Sequence, residues 1–262
     1  MQVRSLAFRT DLMLRRMAGA SVADHGDHLV VRSPHNPTFY WGNFLLAPAP
    51  PGPGEAERWL SRFAAELPDA AHVAIGVDGV DDDLGDCAAF TAAGLTPDVA
   101  TVLVAEHLEP AVPTDPAAAL RPLSGDDDWR QAVDLQLALA DDPSDEHRLF
   151  VVRRAAESRG LVEAGHGVHV GAFVDGVMRA GLGLFADGAG LARYQSVETH
   201  PEFRRRGLAA GLLVLAADLV ATEHPVAWLV IVADPDYVAI ELYRRLGFVD
   251  LERQVQWQRA PG

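Results

Sequence analysis

The segment that most constrains this chain is a strand, a basic turn and an apolar helix in immediate succession. The run from Tyr194 to Thr199 predicts a strand, and His200-Pro201 interrupts it. Arg204-Arg205-Arg206-Gly207 then precede an Ala- and Leu-rich stretch, Leu208–Val220, which predicts a buried helix. A turn at a helix N-terminus offers unpaired backbone N–H groups and the positive end of the helix dipole. With a glycine for close approach of the backbone, this turn is suited to binding a diphosphate.

A second segment downstream has a similar order of elements. Trp228–Val232 predicts a buried strand, and Asp234-Pro235-Asp236 predicts the acidic N-cap of a helix. The helix is expected to end at Gly247, directly before Phe248. Its apolar residues recur at helical spacing: Ile240, Leu242, Tyr243 and Leu246.

Together the two segments resemble the GCN5-related N-acetyltransferases, the GNAT superfamily. The hexapeptide Arg204–Ala209 fits the Arg/Gln-x-x-Gly-x-Gly/Ala loop that binds the pyrophosphate of acetyl-CoA in that family. The run Ala239–Phe248 is similar to the second family signature, in which LY and GF close a helix. For the hexapeptide alone, a basic turn that only caps a core helix is the alternative. The resemblance implies an α/β fold built on a mixed (α+β) sheet.

The resemblance also implies roles for individual residues. The backbone of Val197 and Thr199 would pair with the pantetheine arm. Tyr243 would be the general acid near the thioester sulfur, with a core residue on the helix face as its alternative. Asp236 stands where many members carry Asn beside the cofactor, which leaves that pantetheine contact in doubt. The pyrophosphate would be held by the loop residues Arg204, Arg205, Arg206, Gly207, Leu208 and Ala209.

The general base is less well defined by the sequence. Glu198 is the only carboxylate of the strand that precedes the basic turn. Because side chains alternate along a strand, we expect Glu198 on the face opposite Arg193 and Gln195. A structural or surface role is therefore the alternative for Glu198. His166 and His169, in the preceding hairpin, are further candidates.

The N-terminal half repeats the element order of the C-terminal half. Residues 38–109 align with residues 191–262 without a gap, and the basic turn then falls on Pro51-Gly52-Pro53. Prolines lack a backbone N–H, and Phe90 replaces Tyr243, so we predict a degenerate GNAT-like copy without a cofactor site. Two unrelated α/β units are the alternative. The coinciding residues at element boundaries are Pro48 with Pro201, Gly54 with Gly207, Asp81 with Asp234 and Gly94 with Gly247.

The stretch Pro110–Pro116 is the predicted linker. The predicted fold class is therefore α/β, with two GNAT-like domains in tandem: a degenerate one over residues 1–112 and a catalytic one over residues 118–262.

Asp126–Asp128 suit the N-terminus of a helix. Because adjacent side chains on a helix point in different directions, we expect no metal there or elsewhere. The second domain should contain a strand near Leu120, helices at Trp129–Ala140 and Asp145–Glu163, and a hairpin around Asp175-Gly176.

Charge and cysteine content exclude several classes of function. The chain has 22 basic residues, all arginine, against 37 acidic ones, and its net charge is −15. Nucleic acids require a basic face, so we expect no nucleic-acid partner and no anionic membrane surface. Cys87 is the single cysteine and fits a reducing compartment. The first 20 residues lack the pattern of a secretory signal, and we expect a cytoplasmic protein without membrane spans.

These observations predict an N-acetyltransferase. Acetyl-CoA would be its cosubstrate, and the acetyl group would pass directly to a primary amine of a small molecule, amino acid or peptide. A tandem plan also resembles the mycothiol synthases, although no residue selects their substrate. A protein-lysine acetyltransferase stays open, because an acidic surface suits a basic acceptor. The non-catalytic alternative is an acyl-CoA-binding sensor or scaffold. The acceptor, the acyl chain length and a homodimeric state stay undetermined.

Overall fold

The computed structural model of the protein describes residues 1–109, 114–140 and 144–260. These residues form two compact units. The first contains Met1–Val102, Val232–Tyr237 and the chain from Asp250 onward, and the second contains Leu103–Ile231 and Val238–Val249. The units therefore place the end of the chain with the first half, whereas the sequence assigns it to the second domain. The limits 1–112 and 118–262 stay a prediction, and residues 110–113 lie outside the described residues.

The described residues form a mixed set of helices and strands. The helices are α1 (Leu6–Met17), α2 (Ala56–Glu66), α3 (Cys87–Ala92), α4 (Gly125–Ala138), α5 (Asp145–Glu163), α6 (Leu208–Glu223) and α7 (Ala239–Arg245). Short 3-10 helices lie at Tyr40–Gly42 and Pro201–Phe203. The strands are β1 (Ser21–Asp24), β2 (Leu29–Arg32), β3 (Phe44–Ala47), β4 (Val73–Val77), β5 (Thr96–Ala105), β6 (Ala118–Pro122), β7 (Gly167–Val174), β8 (Val177–Ala186), β9 (Gly190–Thr199), β10 (Val226–Ala233) and β11 (Val249–Arg259).

The first unit is built on a sheet with the strand order β1-β2-β3-β4-β11. β3 and β4 are parallel, and the other neighbours are antiparallel. Phe8, Ile75 and Trp257 are fully buried in its core. The sequence indicated β11 only through the repeat of the N-terminal element order. Val255 and Trp257 alternate into the core as a strand requires.

The second unit is built on a sheet with the strand order β10-β9-β8-β7-β6, in which β9 and β10 are parallel. The remaining neighbours are antiparallel. The apolar helix α6 lies on one face, where the buried Tyr194 hydroxyl donates to the Leu213 carbonyl at 2.7 Å. On the other face Trp129 and Leu135 of α4 pack with Met178 of β8. The predicted α/β class with a mixed sheet is confirmed.

Two predicted helix starts and one predicted strand differ from the structure. α4 begins at Gly125, so Asp126–Asp128 form its first turn instead of preceding it. α7 begins at Ala239, because Asp234 accepts a hydrogen bond from the Asp236 N–H at 2.8 Å and forms a turn before the helix. The sequence also predicts a strand over Thr38–Ala47, of which only Phe44–Ala47 is a strand in the structure. Within the described ranges, every helix falls short of the length and apolar character that a membrane crossing requires.

The element order of the two halves repeats as the sequence indicated. Aligning residues 38–109 with 191–262 places α2 on α6, β4 on β10, α3 on α7 and β5 on β11. Gly54 and Gly207 have φ values of 80° and 74° shortly before or at the start of their helices. Gly94 and Gly247 have φ values of 80° and 99° after theirs. The positive φ explains why glycine occupies these four aligned positions.

Candidate active site

The predicted diphosphate loop lies between β9 and α6. Arg205 has a φ of 61° and Gly207 a φ of 74°, so the backbone turns through the left-handed region twice before α6 begins at Leu208. The first N–H groups of an α-helix have no acceptor within the helix. Gly207 has no Cβ at this end of the helix, so an anion can approach the backbone closely. The structure therefore brings Arg204–Ala209 together at one helix N-terminus.

Arginine side chains surround this loop. The guanidiniums of Arg206 and of Arg179, from β8, each lie 4.5 Å from the centre of the Phe203 ring. Arg204 donates from Nε to the Thr199 carbonyl at 3.3 Å. Arg206 is also 3.5 Å from an Asp115 carboxylate oxygen. Arg179 was not predicted from the sequence, because it joins the cluster through the pairing of β8 with β9.

β9 separates from its parallel neighbour as it approaches the loop. The paired register of β9 and β10 runs from Gly190–Val226 to Arg193–Val230. β9 then continues to Thr199 beside β8. Val197 and Thr199, the predicted backbone partners of pantetheine, lie in this last part of β9, next to the loop.

A bulge in β9 determines the direction of Glu198. Gln195 pairs with Gly183 and Glu198 pairs with Gly181, so β9 contains one residue more than β8 over this interval. Ser196, with a φ of 50°, lies at the bulge. Directly opposed residues share a face of the sheet, and Gly181 and Gly183 are two residues apart on the same face. Glu198 therefore lies on the same face as Gln195, and the predicted opposite face was wrong.

Glu198 lines an open pocket between the sheet and helices α4 and α5. The empty space in and in front of this pocket is about 390 Å³, a figure that includes open solvent. Gly181 has no side chain, and the terminal methyl of Met178 packs in the space that a side chain would fill. A Cβ at this position would lie only 2.3 Å from that methyl and 3.8 Å from Nε2 of His169. The lining residues are Trp129, Ala132, Leu135, Gln136, Arg154, Ala155, Ser158, His169, Met178, Gly181, Ser196 and Glu198.

Burial sets the protonation states in the pocket. Burial raises the pKa of the Glu198 carboxyl to about 7, so that both its acid and its base form are present near neutral pH. Burial lowers the pKa of His169 to about 4, which keeps this imidazole neutral. The Trp129 ring meets the His169 ring edge-on, with the centroids 5.1 Å apart. A half-buried carboxyl that titrates near neutrality is suited to accept a proton from an ammonium group.

The Arg154 guanidinium in the same pocket is already paired. Its Nη1 donates to a Glu157 carboxylate oxygen at 2.6 Å, and both side chains are largely buried. Its Nη2 lies 3.5 Å from the Gln195 side-chain oxygen. The positive charge of Arg154 is therefore compensated, which leaves Glu198 as the titrating charge of the pocket.

Residues 129–248 match the family model described as the acetyltransferase (GNAT) family. These residues form a GNAT acetyltransferase domain. The match contains the whole predicted diphosphate loop, Glu198 and Tyr243. The family resemblance predicted from the two signatures is thereby confirmed.

Solved structures are similar to the chain over nearly its whole length. A GCN5-related N-acetyltransferase from Kribbella flavida is 16% identical, with a TM-score of 0.63 over 98% of this chain and 96% of that chain. A conserved protein of unknown function from Staphylococcus epidermidis is 13% identical, with a TM-score of 0.68 and coverage of 92% and 93%. A tandem GNAT protein from the clavulanic acid biosynthesis pathway is 18% identical, with a TM-score of 0.55 and coverage of 95% and 88%. At these identities the similarity shows the fold alone. No curated protein matches the chain by sequence.

The remaining predicted site residues belong to different compact units. His166 and Tyr243 lie in the second unit, and Asp236 lies in the first. Tyr243 belongs to the unit that contains β9, is only 5% exposed, and meets the Phe248 ring edge-on at 6.2 Å. His166 lies in the turn before β7, outside the pocket lining. Asp236 belongs to the segment Val232–Tyr237, which is part of the first unit. The pocket residues of α4 and α5 were not predicted, because their helical patterns do not distinguish a pocket wall from a core face.

Proposed function

We propose that the GNAT domain transfers an acetyl group from acetyl-CoA to a primary amine held in the pocket. The observation that carries the proposal is the position of Glu198. This side chain lines the open pocket. β9 ends one residue later, at Thr199, and the chain then reaches the basic loop Arg204–Ala209 at the N-terminus of α6. One strand therefore connects a site suited to a diphosphate with a base suited to an amine.

The chemistry requires three steps. Glu198 takes a proton from the ammonium form of the acceptor, directly or through water. The free amine attacks the thioester carbonyl carbon, and the new C–N bond forms a tetrahedral intermediate. This intermediate collapses with cleavage of the C–S bond, and Tyr243 donates its phenolic proton to the departing CoA thiolate. The amide nitrogen then loses its extra proton to the tyrosinate, directly or through water, which restores the Tyr243 phenol, and Glu198 releases its proton to solvent. The loop amides of Arg204–Ala209 hold the pyrophosphate, and the backbone of Val197 and Thr199 holds the pantetheine arm.

We further propose that the chain has one cofactor site, because the corresponding loop of the N-terminal copy is blocked. Pro51 and Pro53 have no N–H. The Gly52 N–H donates to the Glu55 carboxylate at 2.8 Å. The Gly54 N–H donates to the Asp86 carboxylate at 2.9 Å. Acidic side chains thus occupy the donors that a diphosphate would need, which supports a degenerate N-terminal copy.

Release of free CoA thiol in the presence of a panel of primary amines tests the proposed activity. The proposal predicts amine-dependent thiol release together with an acetylated amine of the expected mass. The alternative function, an acyl-CoA sensor or scaffold, predicts saturable acetyl-CoA binding with no thiol release above background for any amine. Binding without thiol release would reject the proposed acetyltransferase activity.

Tyr243→Phe is expected to lower kcat roughly 10- to 100-fold while the KM for acetyl-CoA stays unchanged. This decrease in kcat is at the low end of the range for removal of a general acid, because the thiolate of a thiol with a pKa of about 8.5 is a good leaving group without full protonation. Steady-state kinetics of the variant measure both constants. Tyr237→Phe, at an exposed tyrosine, is the control and should retain wild-type kcat. Equal activity of the two variants would reject Tyr243 as the acid.

The paired Arg154 predicts which amines the pocket accepts. Among the described residues that line the pocket, the one guanidinium, that of Arg154, is paired with Glu157, so an acceptor carboxylate beside the amine would meet the charge of Glu198. Trp129, Leu135 and Met178 instead offer apolar contacts to a neutral stem. We expect kcat/KM to be at least about 10-fold higher for phenethylamine than for phenylalanine. Phenylalaninamide controls for size and should resemble phenethylamine. A preference for phenylalanine would show that Arg154 is available to the substrate.

A further inference from the structure

We propose, in place of the expectation of no metal drawn from the sequence, that the first unit contains a metal site for Zn²⁺, formed by His25, His28 and Glu66. One possible ligand atom of each residue lies within 4.8 Å of the other two. His25 and His28 lie in the turn of the β1–β2 hairpin, and Glu66 is the last residue of α2. Two imidazoles and one carboxylate form a donor set that suits Zn²⁺ and leaves a fourth position for water. This inference is independent of the proposed acetyl transfer.

His28 has the surroundings of a metal-binding histidine. Its side chain is buried, with a residue exposure of 5%, and its Nδ1 lies 2.7 Å from a carboxylate oxygen of Asp27. The Arg62 guanidinium holds the other oxygen of Asp27 at 2.7 Å. A carboxylate on one ring nitrogen fixes the tautomer and directs the lone pair to the other nitrogen, as in carboxylate–histidine–zinc arrangements.

The other ring nitrogen of His28 lacks a protein partner. Nε2 is buried and has no hydrogen bond within the described part of the chain. Buried polar atoms are nearly always paired, and an unpaired one calls for a water or an ion. Because Nδ1 is occupied by Asp27, Nε2 is the nitrogen that His28 can offer to a metal.

His25 and Glu66 complete the ligand set after a small adjustment. The His25 ring stacks on the His28 ring with the centroids 4.8 Å apart. Nδ1 of His25 lies 4.0 Å from Oε1 of Glu66. Ligand atoms at zinc distances in a tetrahedral site are about 3.4 Å apart. The His25 side chain is 39% exposed, so its rotation can shorten the distance from its Nδ1 to Oε1 of Glu66 without disturbing the core.

Glu66 directs one carboxylate oxygen at the proposed site while Arg32 pairs with the other. Glu66 ends α2, where the helix dipole is negative, and the last turn of α2 has no basic residue. Arg32 binds Oε2 of Glu66 at 2.6 Å and the Glu66 carbonyl at 2.9 Å. Oε1 is therefore the oxygen directed at His25, and Arg32 orients it. A metal bound here would tie the β1–β2 turn to the end of α2.

Zinc titration of the full-length, chelator-stripped protein tests this proposal, with a chromophoric zinc indicator as competitor. We expect one Zn²⁺ per chain and a rise in the temperature of unfolding on binding. His25→Ala and His28→Ala should each weaken binding at least about 10-fold, and Asp27→Asn should also weaken it. His35→Ala, at an exposed histidine of the same unit, is the matched control and should bind as wild type.

His25→Ala keeps the test decisive if the buried His28 variant does not fold, because His25 is at the surface. Absence of stoichiometric zinc binding in the wild type would overturn the site. Binding that survives in both His25→Ala and Glu66→Gln would overturn it as well. Acetyl-CoA affinity of these variants should equal that of wild type, so a failure of the metal site leaves the acetyltransferase proposal untouched.

Discussion

Glu198→Gln is expected to lower kcat by about 100-fold or more, because it removes the proposed general base but keeps the shape of the side chain. The base form of Glu198 predominates above its pKa of about 7. The wild-type kcat/KM should therefore rise as pH rises through about 7 and then level off. The variant should lose this rise. Initial rates from pH 5.5 to 8.5 with a fixed amine measure both effects.

Two controls separate catalysis from folding for this variant. Glu202→Gln removes an exposed carboxylate from the loop after β9 and should retain wild-type kcat. Because burial disfavours the ionised form of Glu198, its neutral amide replacement should not lower the temperature of unfolding at pH 8. A stable Glu198→Gln variant with wild-type kcat and an unchanged pH profile would reject Glu198 as the base.

Gly207→Glu is expected to raise the dissociation constant of acetyl-CoA by at least about 100-fold. The substitution places a side chain at a φ of 74° and a negative charge at the helix N-terminus that would bind the diphosphate. Loss of one or two charge-assisted hydrogen bonds accounts for this size, since each is worth about 1.5–3 kcal/mol and about 1.4 kcal/mol is tenfold. Calorimetric titration with acetyl-CoA measures the effect.

Gly188→Glu is the matched control for the backbone strain. Gly188 has a φ of 71°, has open space around it, and lies in the turn between β8 and β9. The 10 residues of β9 separate that turn from the loop by roughly 30 Å. This control should bind acetyl-CoA as wild type does. If both variants lost affinity equally, the effect would come from strain or charge in general, and the loop assignment would fail.

The conformation of the basic loop before α6 could be predicted from the sequence because its signal is local, whereas diphosphate binding by this loop stays a prediction. An arginine run, a glycine and an apolar helix are adjacent in the chain, and each has a conformational preference of its own. The repeat was also visible, because Gly54 and Gly207 are required by the same backbone conformation. Turns and helices that are specified by residues adjacent in the chain were therefore predicted close to where the structure has them.

The direction of Glu198 could not be predicted, because one extra residue at the β9 bulge reverses the alternation of side chains. Ser196 adopts a positive φ that its residue type does not signal. The pocket depends on how α4 and α5 pack on the sheet, and the position of Arg179 beside the basic loop depends on the pairing of β8 with β9. A single sequence specifies neither. The same holds for His28 and Glu66, which are distant in the chain.

A calorimetric titration of the full-length protein with acetyl-CoA, read for stoichiometry, tests the central claim most directly. The claim is one functional cofactor site, formed by the loop that starts α6. We predict one site per chain in the wild type and none detectable at the same concentrations in Gly207→Glu. Two sites per chain would show that the Pro51–Gly54 loop binds the cofactor despite its occupied donors. No binding to the wild type would contradict the proposed acetyltransferase.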